Sequence, residues 1–147
     1  MEAERPYNFF FRFEDLRIYN KALDYVAWVY ANSKHFPNSE KNGIAARFLC
    51  VAQSIGINIA EGSGRNKPQF VYYLKLAKSS IRECMVLTTI CQRLGFLNEK
   101  GVEESRCFLI EMTKMTGALI ASLVRQDKPS ECVDDEEYYT QPNGNVL

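Results

Sequence analysis

The stretch from Phe70 to Leu94 constrains this chain most. Phe70, Leu74, Ala77, Ile81, Cys84, Thr88 and Cys91 follow alternating steps of four and three, the spacing of a seam that one helix presents to another. Tyr73, Leu76, Ser80, Glu83, Leu87, Ile90 and Leu94 form a second seam beside it. The two are centred ~110° apart at ~100° per residue, so the buried arc is wider than the stripe of an ordinary surface helix. A doubled seam fits a helix with two bundle neighbours, or one that keeps a face for another subunit.

Three further segments have helical periodicity. The first runs from about Glu14 to His35, with Leu16, Leu23, Val26, Ala27 and Tyr30 expected on its inward face. His35-Phe36-Pro37-Asn38 breaks it. The second runs from about Ser39 to Glu61 and stops at Gly62-Ser63-Gly64, where Gly62 suits a left-handed position after the helix. The third starts near Pro68, which costs little in a first turn, and ends near Gly95. Asn98 is an N-cap for the fourth, with Leu97 and Val102 spaced as a hydrophobic staple, and that helix reaches about Arg125. Only the aromatic start, Tyr7 to Phe13, is ambiguous between helix and strand. Helices of ~22–28 residues are ~33–42 Å long, and connections this short make sequential neighbours antiparallel. The expected fold is all-α: an antiparallel up-down-up-down four-helix bundle over residues 14–128. An aromatic arm, 1–13, precedes it and an acidic tail, 129–147, expected to be disordered, follows it.

Charge is unevenly spread. Lys plus Arg and Asp plus Glu both total 18, yet residues 129–147 hold five acids and no Lys or Arg. The remainder therefore carries +5, concentrated in residues 65–128 with eleven bases against six acids. No apolar run approaches the ~20 residues that span a bilayer, and the start lacks the basic and apolar regions of a secretory signal. The five cysteines form no C-x-x-C pair, which argues against a zinc site and a disulfide scaffold. These features point to a cytoplasmic protein with reduced thiols and no membrane partner. Catalysis is not expected. The single histidine, His35, ends a helix, and there is no H-E-x-x-H, G-x-S-x-G or P-loop. No metal or cofactor is implied.

Two sets of polar residues stand out. Ser54, Asn58 and Glu61 interrupt the apolar second segment, and Ser80 and Glu83 interrupt a seam of the third. Polar groups in such places need partners. Pairing across the Gly62–Lys67 turn sets Arg47 opposite Glu83, and Arg65 is the nearest cation to Glu61. The residues Arg47, Ser54, Asn58, Glu61, Ser80 and Glu83 are thus read as a structural polar clasp that fixes helix register. Lys75, Lys78 and Arg82 occupy the arc left by the two seams, with Arg65 and Lys67 at the preceding turn. Together they form a basic strip that could track a phosphate backbone. Its commoner role is a solvated helix face.

Phe13-Glu14-Asp15-Leu16, Tyr19, Val29-Tyr30, Phe36-Pro37, Glu40, Gly43-Ile44, Ser54-Ile55, Asn58-Ile59-Ala60-Glu61-Gly62 and Arg65 form a recognisable set. With Leu74, Ala77, Ser80, Glu83 and Leu94-Gly95-Phe96-Leu97, they resemble the four-helix-bundle family named for proteins encoded in 23S ribosomal RNA intervening sequences. The resemblance covers about residues 13–123. It extends to the accessory variability determinant proteins of diversity-generating retroelements. It implies a barrel-like homopentamer and, for the retroelement branch, binding to RNA or DNA or to a reverse transcriptase or other nucleoprotein. It implies no catalytic residues. The family's arginine pair falls here on Leu49 and Cys50, leaving Arg47 as the nearby cation and weakening the electrostatic case for nucleic acid. The expected function is a non-enzymatic oligomer that binds nucleic acid or a nucleoprotein through basic edges. The alternative is a protein-binding scaffold.

Overall fold

The computed structural model describes residues 11–126. The acidic tail and residues 1–10 of the aromatic arm lie outside the described residues. A short 3-10 turn, Arg12–Asp15, leads into α1 (Arg17–Ser33). A second, Asn38–Glu40, precedes α2 (Ile44–Ser63), which is followed by α3 (Lys67–Arg93) and α4 (Glu99–Gln126). No strand occurs among the described residues, so the aromatic start contributes none from Phe11 onward. α2 packs against α1 and α3, and α4 packs against α3 and α1.

The helix ends follow local chemistry. Asn66 caps α3, its side chain accepting from the Gln69 amide at 3.0 Å, with Pro68 in the first turn. Asn98 accepts from the Gly101 amide at 2.8 Å, and Leu97 and Val102 are both buried beside it. α3 ends at Gly95, whose φ of +76° favours glycine. There the Phe96 amide donates to the Cys91 carbonyl at 2.8 Å, which satisfies an orphan carbonyl of the last turn.

Gly62 departs from the sequence expectation. It lies inside α2, and its φ is not positive. It is needed for close approach: a Cβ there would stand 2.5 Å from the Tyr73 Cβ and 3.0 Å from the Phe70 ring. The helix therefore continues to Ser63, and glycine lets α3 close onto α2.

The inward face of α1 also differs. Ile18, Ala22, Tyr25 and Val29 are buried, whereas Leu23 and Tyr30 are 44% and 55% exposed. Both sets have helical spacing. The choice falls to the set whose Tyr25 hydroxyl finds a buried partner, Ser105 of α4. The doubled seam of α3 resolves into two neighbours. Leu74, Ala77, Ile81, Cys84, Thr88 and Cys91 enter the core, while Tyr73 and Ser80 meet α2. Ile90 and Leu94 at the end of the second seam remain exposed.

The expectation that no stretch approaches membrane-spanning length needs correction. α2 and the Glu99–Arg125 part of α4 are long and apolar enough by length and composition. Their Gly, Ala, Ser and Thr residues hide this from a count of consecutive apolar side chains. Core helices of soluble proteins pass the same test, and α2 sends Phe48, Val51, Ala52, Ile55 and Ile59 into the core.

Candidate nucleic-acid interface

α3 carries Lys67, Lys75, Lys78, Arg82 and Arg93 against one carboxylate, Glu83. The seams fill the rest of its circumference, so the cations are left to the outer side. At ~100° per residue, Lys67, Lys75, Lys78 and Arg82 share an arc of ~80°. They extend over ~22 Å of axis at 1.5 Å per residue. Lys67, Lys75 and Arg82 are exposed, and Lys78 is half-buried. Arg93 returns to the same arc three turns beyond Arg82. Glu83 lies ~120° from the centre of the arc, on the α2-facing side, so no α3 carboxylate interrupts the arc.

Arg65 does not join this strip. Its guanidinium donates to Glu61 at 2.8 Å and lies 5.1 Å from the Tyr73 ring centroid, on the α2 side of α3. The Glu61 hydrogen bond raises its pKa, with the nearby Tyr73 adding to the effect. Arg106 of α4, which the sequence reading missed, borders the strip instead. Its Nη1 approaches the Met85 sulfur at 3.8 Å, and Met85 occupies the same angular position on α3 as Lys67. The short Gly95–Asn98 connection was the available signal, since it sets residues near 106 opposite residues near 86.

The polar residues of α2 and α3 are brought together unevenly. Ser54 Oγ donates to Ser80 Oγ at 2.8 Å, and Asn58 Nδ2 donates to the Ser54 carbonyl at 2.8 Å. Arg47 and Glu83 do face each other, but at 3.5 Å and with side chains 67% and 54% exposed. Glu83 is thus a surface residue rather than one enclosed by its seam, because the seam runs out at the α2–α3 rim there. Glu61 is likewise exposed and pairs with Arg65. Exposed pairs of this kind contribute ~0–1 kcal/mol each.

The buried polar centre lies elsewhere. Tyr25 Oη and Ser105 Oγ are 2.8 Å apart, Ser105 Oγ and Thr88 Oγ1 are 2.7 Å apart, and Thr88 also donates to the Cys84 carbonyl at 2.8 Å. This network ties α1, α4 and α3 together. Burial raises the Tyr25 pKa and pushes the Cys84 thiol up to about 12, with Glu83 adding to the latter. Burial also pushes Cys91 up to about 11. These thiols are protonated at neutral pH and act as packing groups. Sequence spacing revealed Thr88 only as a seam residue and gave no sign of Tyr25.

The α1–α4 side differs in charge. Lys21 pairs with Glu111 at 2.6 Å and sits 5.0 Å from the Phe108 ring centroid, while Trp28 Nε1 donates to Glu104 at 2.8 Å. An open cleft of about 420 Å³ there is lined by Glu103, Glu104 and Glu111 against Lys21 and Lys100. The strip on α3 is therefore a local basic feature. No group of three or more His, Cys, Asp or Glu able to hold a metal ion occurs among the described residues. A family model described as 23S rRNA-intervening sequence protein matches residues 14–118. Among curated proteins, none matches the chain.

Proposed function

The chain belongs to the 23S rRNA-intervening sequence protein family, and from that premise we propose that it is a non-enzymatic, oligomeric nucleic-acid-binding bundle. One observation carries the reading: Lys67, Lys75, Lys78 and Arg82 share one arc of α3 that no α3 carboxylate interrupts. Cations in such a row neutralise successive phosphates and release their counterions. RNA is the favoured ligand because the family's name associates it with ribosomal RNA. A reverse transcriptase or other nucleoprotein is the partner the retroelement resemblance implies. The pairs Arg47–Glu83 with Ser54–Ser80, Thr88–Ser105 with Met85–Arg106, and Tyr25–Ser105 with Trp28–Glu104 support an antiparallel up-down-up-down order. Between α2 and α3, α3 and α4, and α1 and α4, numbers rise on one helix as they fall on the other. Exposed Leu23 and Ile57 support self-association, with a pentamer favoured by the resemblance. The reading places the protein in the cytoplasm.

The test is fluorescence anisotropy with labelled RNA and DNA across salt concentrations. Four neutralised phosphates should cost about 50- to 150-fold in affinity between 50 and 200 mM salt. Base preference should be slight, since phosphate contacts carry little sequence information. Lys75→Glu with Lys78→Glu should remove most binding while leaving the melting temperature unchanged. Absence of binding to either nucleic acid at low salt would leave the protein-binding scaffold as the better reading.

A further inference from the structure

The connection between α1 and α2 encloses a cleft of about 450 Å³ that the α3 strip does not touch. Its walls include Tyr30, Phe36, Lys34 and Lys41, and Ala45 and Leu49 form part of its apolar side. Lys34 Nζ lies 4.7 Å from the Tyr30 ring centroid, so an ammonium and an aromatic ring are presented together. Tyr30 is among the more exposed large side chains. No Asp or Glu lines the cleft, and neither lysine forms an ion pair among the described residues.

A packing role does not account for both lysines. Lys34 follows the C-terminus of α1, where a cation is favourable. Lys41 closes the 3-10 turn Asn38–Glu40 and stands two residues before Gly43, the residue that opens α2, where a cation is unfavourable. Two ammonium groups on one cleft also repel each other, a cost that a bound anion removes. The ligand must then combine a multiply charged anionic group with a flat apolar body that can lie against a tyrosine ring and apolar walls. The volume is that of a small-molecule pocket.

We propose that this cleft binds a nucleoside phosphate, its base against Tyr30 and the apolar wall, its phosphate between Lys34 and Lys41. The same chemistry is offered by a free mononucleotide and by the 5′-phosphorylated end of an RNA strand. The site stands apart from the strip and does not rest on the function proposed for it.

Titration calorimetry of the full chain, in phosphate-free buffer at low salt, tests the site. Adenosine and uridine monophosphates should each bind once per chain. Adenosine and inorganic phosphate, each supplying half of the recognition, should bind about tenfold more weakly or worse. Lys34→Glu with Lys41→Glu should weaken nucleotide binding by about tenfold or more, and Tyr30→Ala should weaken it while Tyr30→Phe keeps it. These side chains are exposed, and an unchanged melting temperature will show that the variants fold. A 5′-phosphorylated tetraribonucleotide that binds more tightly than the mononucleotides, with its 5′-hydroxyl counterpart binding weakly, identifies a strand end as the ligand. The reverse order identifies the free nucleotide. The strip variant Lys75→Glu with Lys78→Glu should leave mononucleotide binding intact, which separates failure of the two readings. No heat with either monophosphate at millimolar concentration, or equal binding by the Lys34→Glu, Lys41→Glu variant, would overturn the proposal.

Discussion

Gly62 and Glu83 show how burial ranks residues that look alike in sequence. Both sit in segments that invite a functional reading, and both touch the α2–α3 contact. Gly62 is buried, with the Tyr73 Cβ where its own Cβ would be. Those atoms belong to the rigid stem of a neighbouring helix, so an added methyl must push α3 away. Gly62→Ala should destabilise the fold by about 1–3 kcal/mol, the usual cost of overpacking. Glu83→Ala removes one half of a half-exposed pair at 3.5 Å and should cost less than about 1 kcal/mol. The larger loss expected for a buried pair does not apply. Urea unfolding of both variants checks the order, and an equal loss would place Glu83 in a tighter network than its geometry shows. Sequence alone marks Asn58-Ile59-Ala60-Glu61-Gly62 as a unit, but the stability resides in the glycine and the isoleucine rather than the carboxylate.

At the scale of the element, the end of α3 is held by one backbone conformation. Gly95 has φ +76°, and nothing lies within 4 Å of the position its Cβ would take. Gly95→Ala therefore meets no steric neighbour and pays only for the left-handed backbone, about 1 kcal/mol. Gly95→Asn should lose less, because asparagine tolerates that region. Thermal melts of the two variants should keep that order; a reversed order would mean that the turn is not set by backbone preference. The four helices and the breaks around α3 were legible in the sequence because caps and turns are local: Asn98, Pro68 and Gly95 each act through their own neighbours. The starts near Glu14 and Ser39 were not, since 3-10 turns at Arg12–Asp15 and Asn38–Glu40 delay α1 to Arg17 and α2 to Ile44. The face of α1 was not. Leu23 with Tyr30 and Ile18 with Tyr25 have equal periodicity, and what separates them is the Ser105 hydroxyl on α4, which Tyr25 alone can reach. The strip was legible for the same reason as the seams, since an arc of one helix follows from spacing. Arg65 pairs with Glu61 as its place in the sequence suggests, and that pair with the Tyr73 ring turns it away from the strip, while Arg106 was missed because it comes from another helix.

At the scale of the whole molecule, charge and assembly act on the same strip. The chain has zero net charge, but residues 129–147 carry five acids and no Lys or Arg. Such a segment opposes an anionic ligand at α3 to the extent that it comes within about a Debye length of the strip. A homo-oligomer would repeat the four strip cations in each subunit, and binding at several subunits multiplies affinity without new contacts. It would also repeat the tail, so removal of the tail should matter more in the assembly than in one subunit. A chain ending at Lys128 should bind RNA more tightly than the full chain at 50 mM salt. The gain should shrink toward none at 1 M, where screening acts over ~3 Å. Light scattering at micromolar concentration should report a mass above that of one chain for both forms, and Leu23→Glu with Ile57→Glu should reduce it by placing charge on the exposed apolar surface. In that reduced form the effect of truncation should also fall. A monomer mass for the unmodified chain would remove the multivalent part of this argument, and equal RNA affinity with and without the tail would show that the strip is not governed by long-range charge.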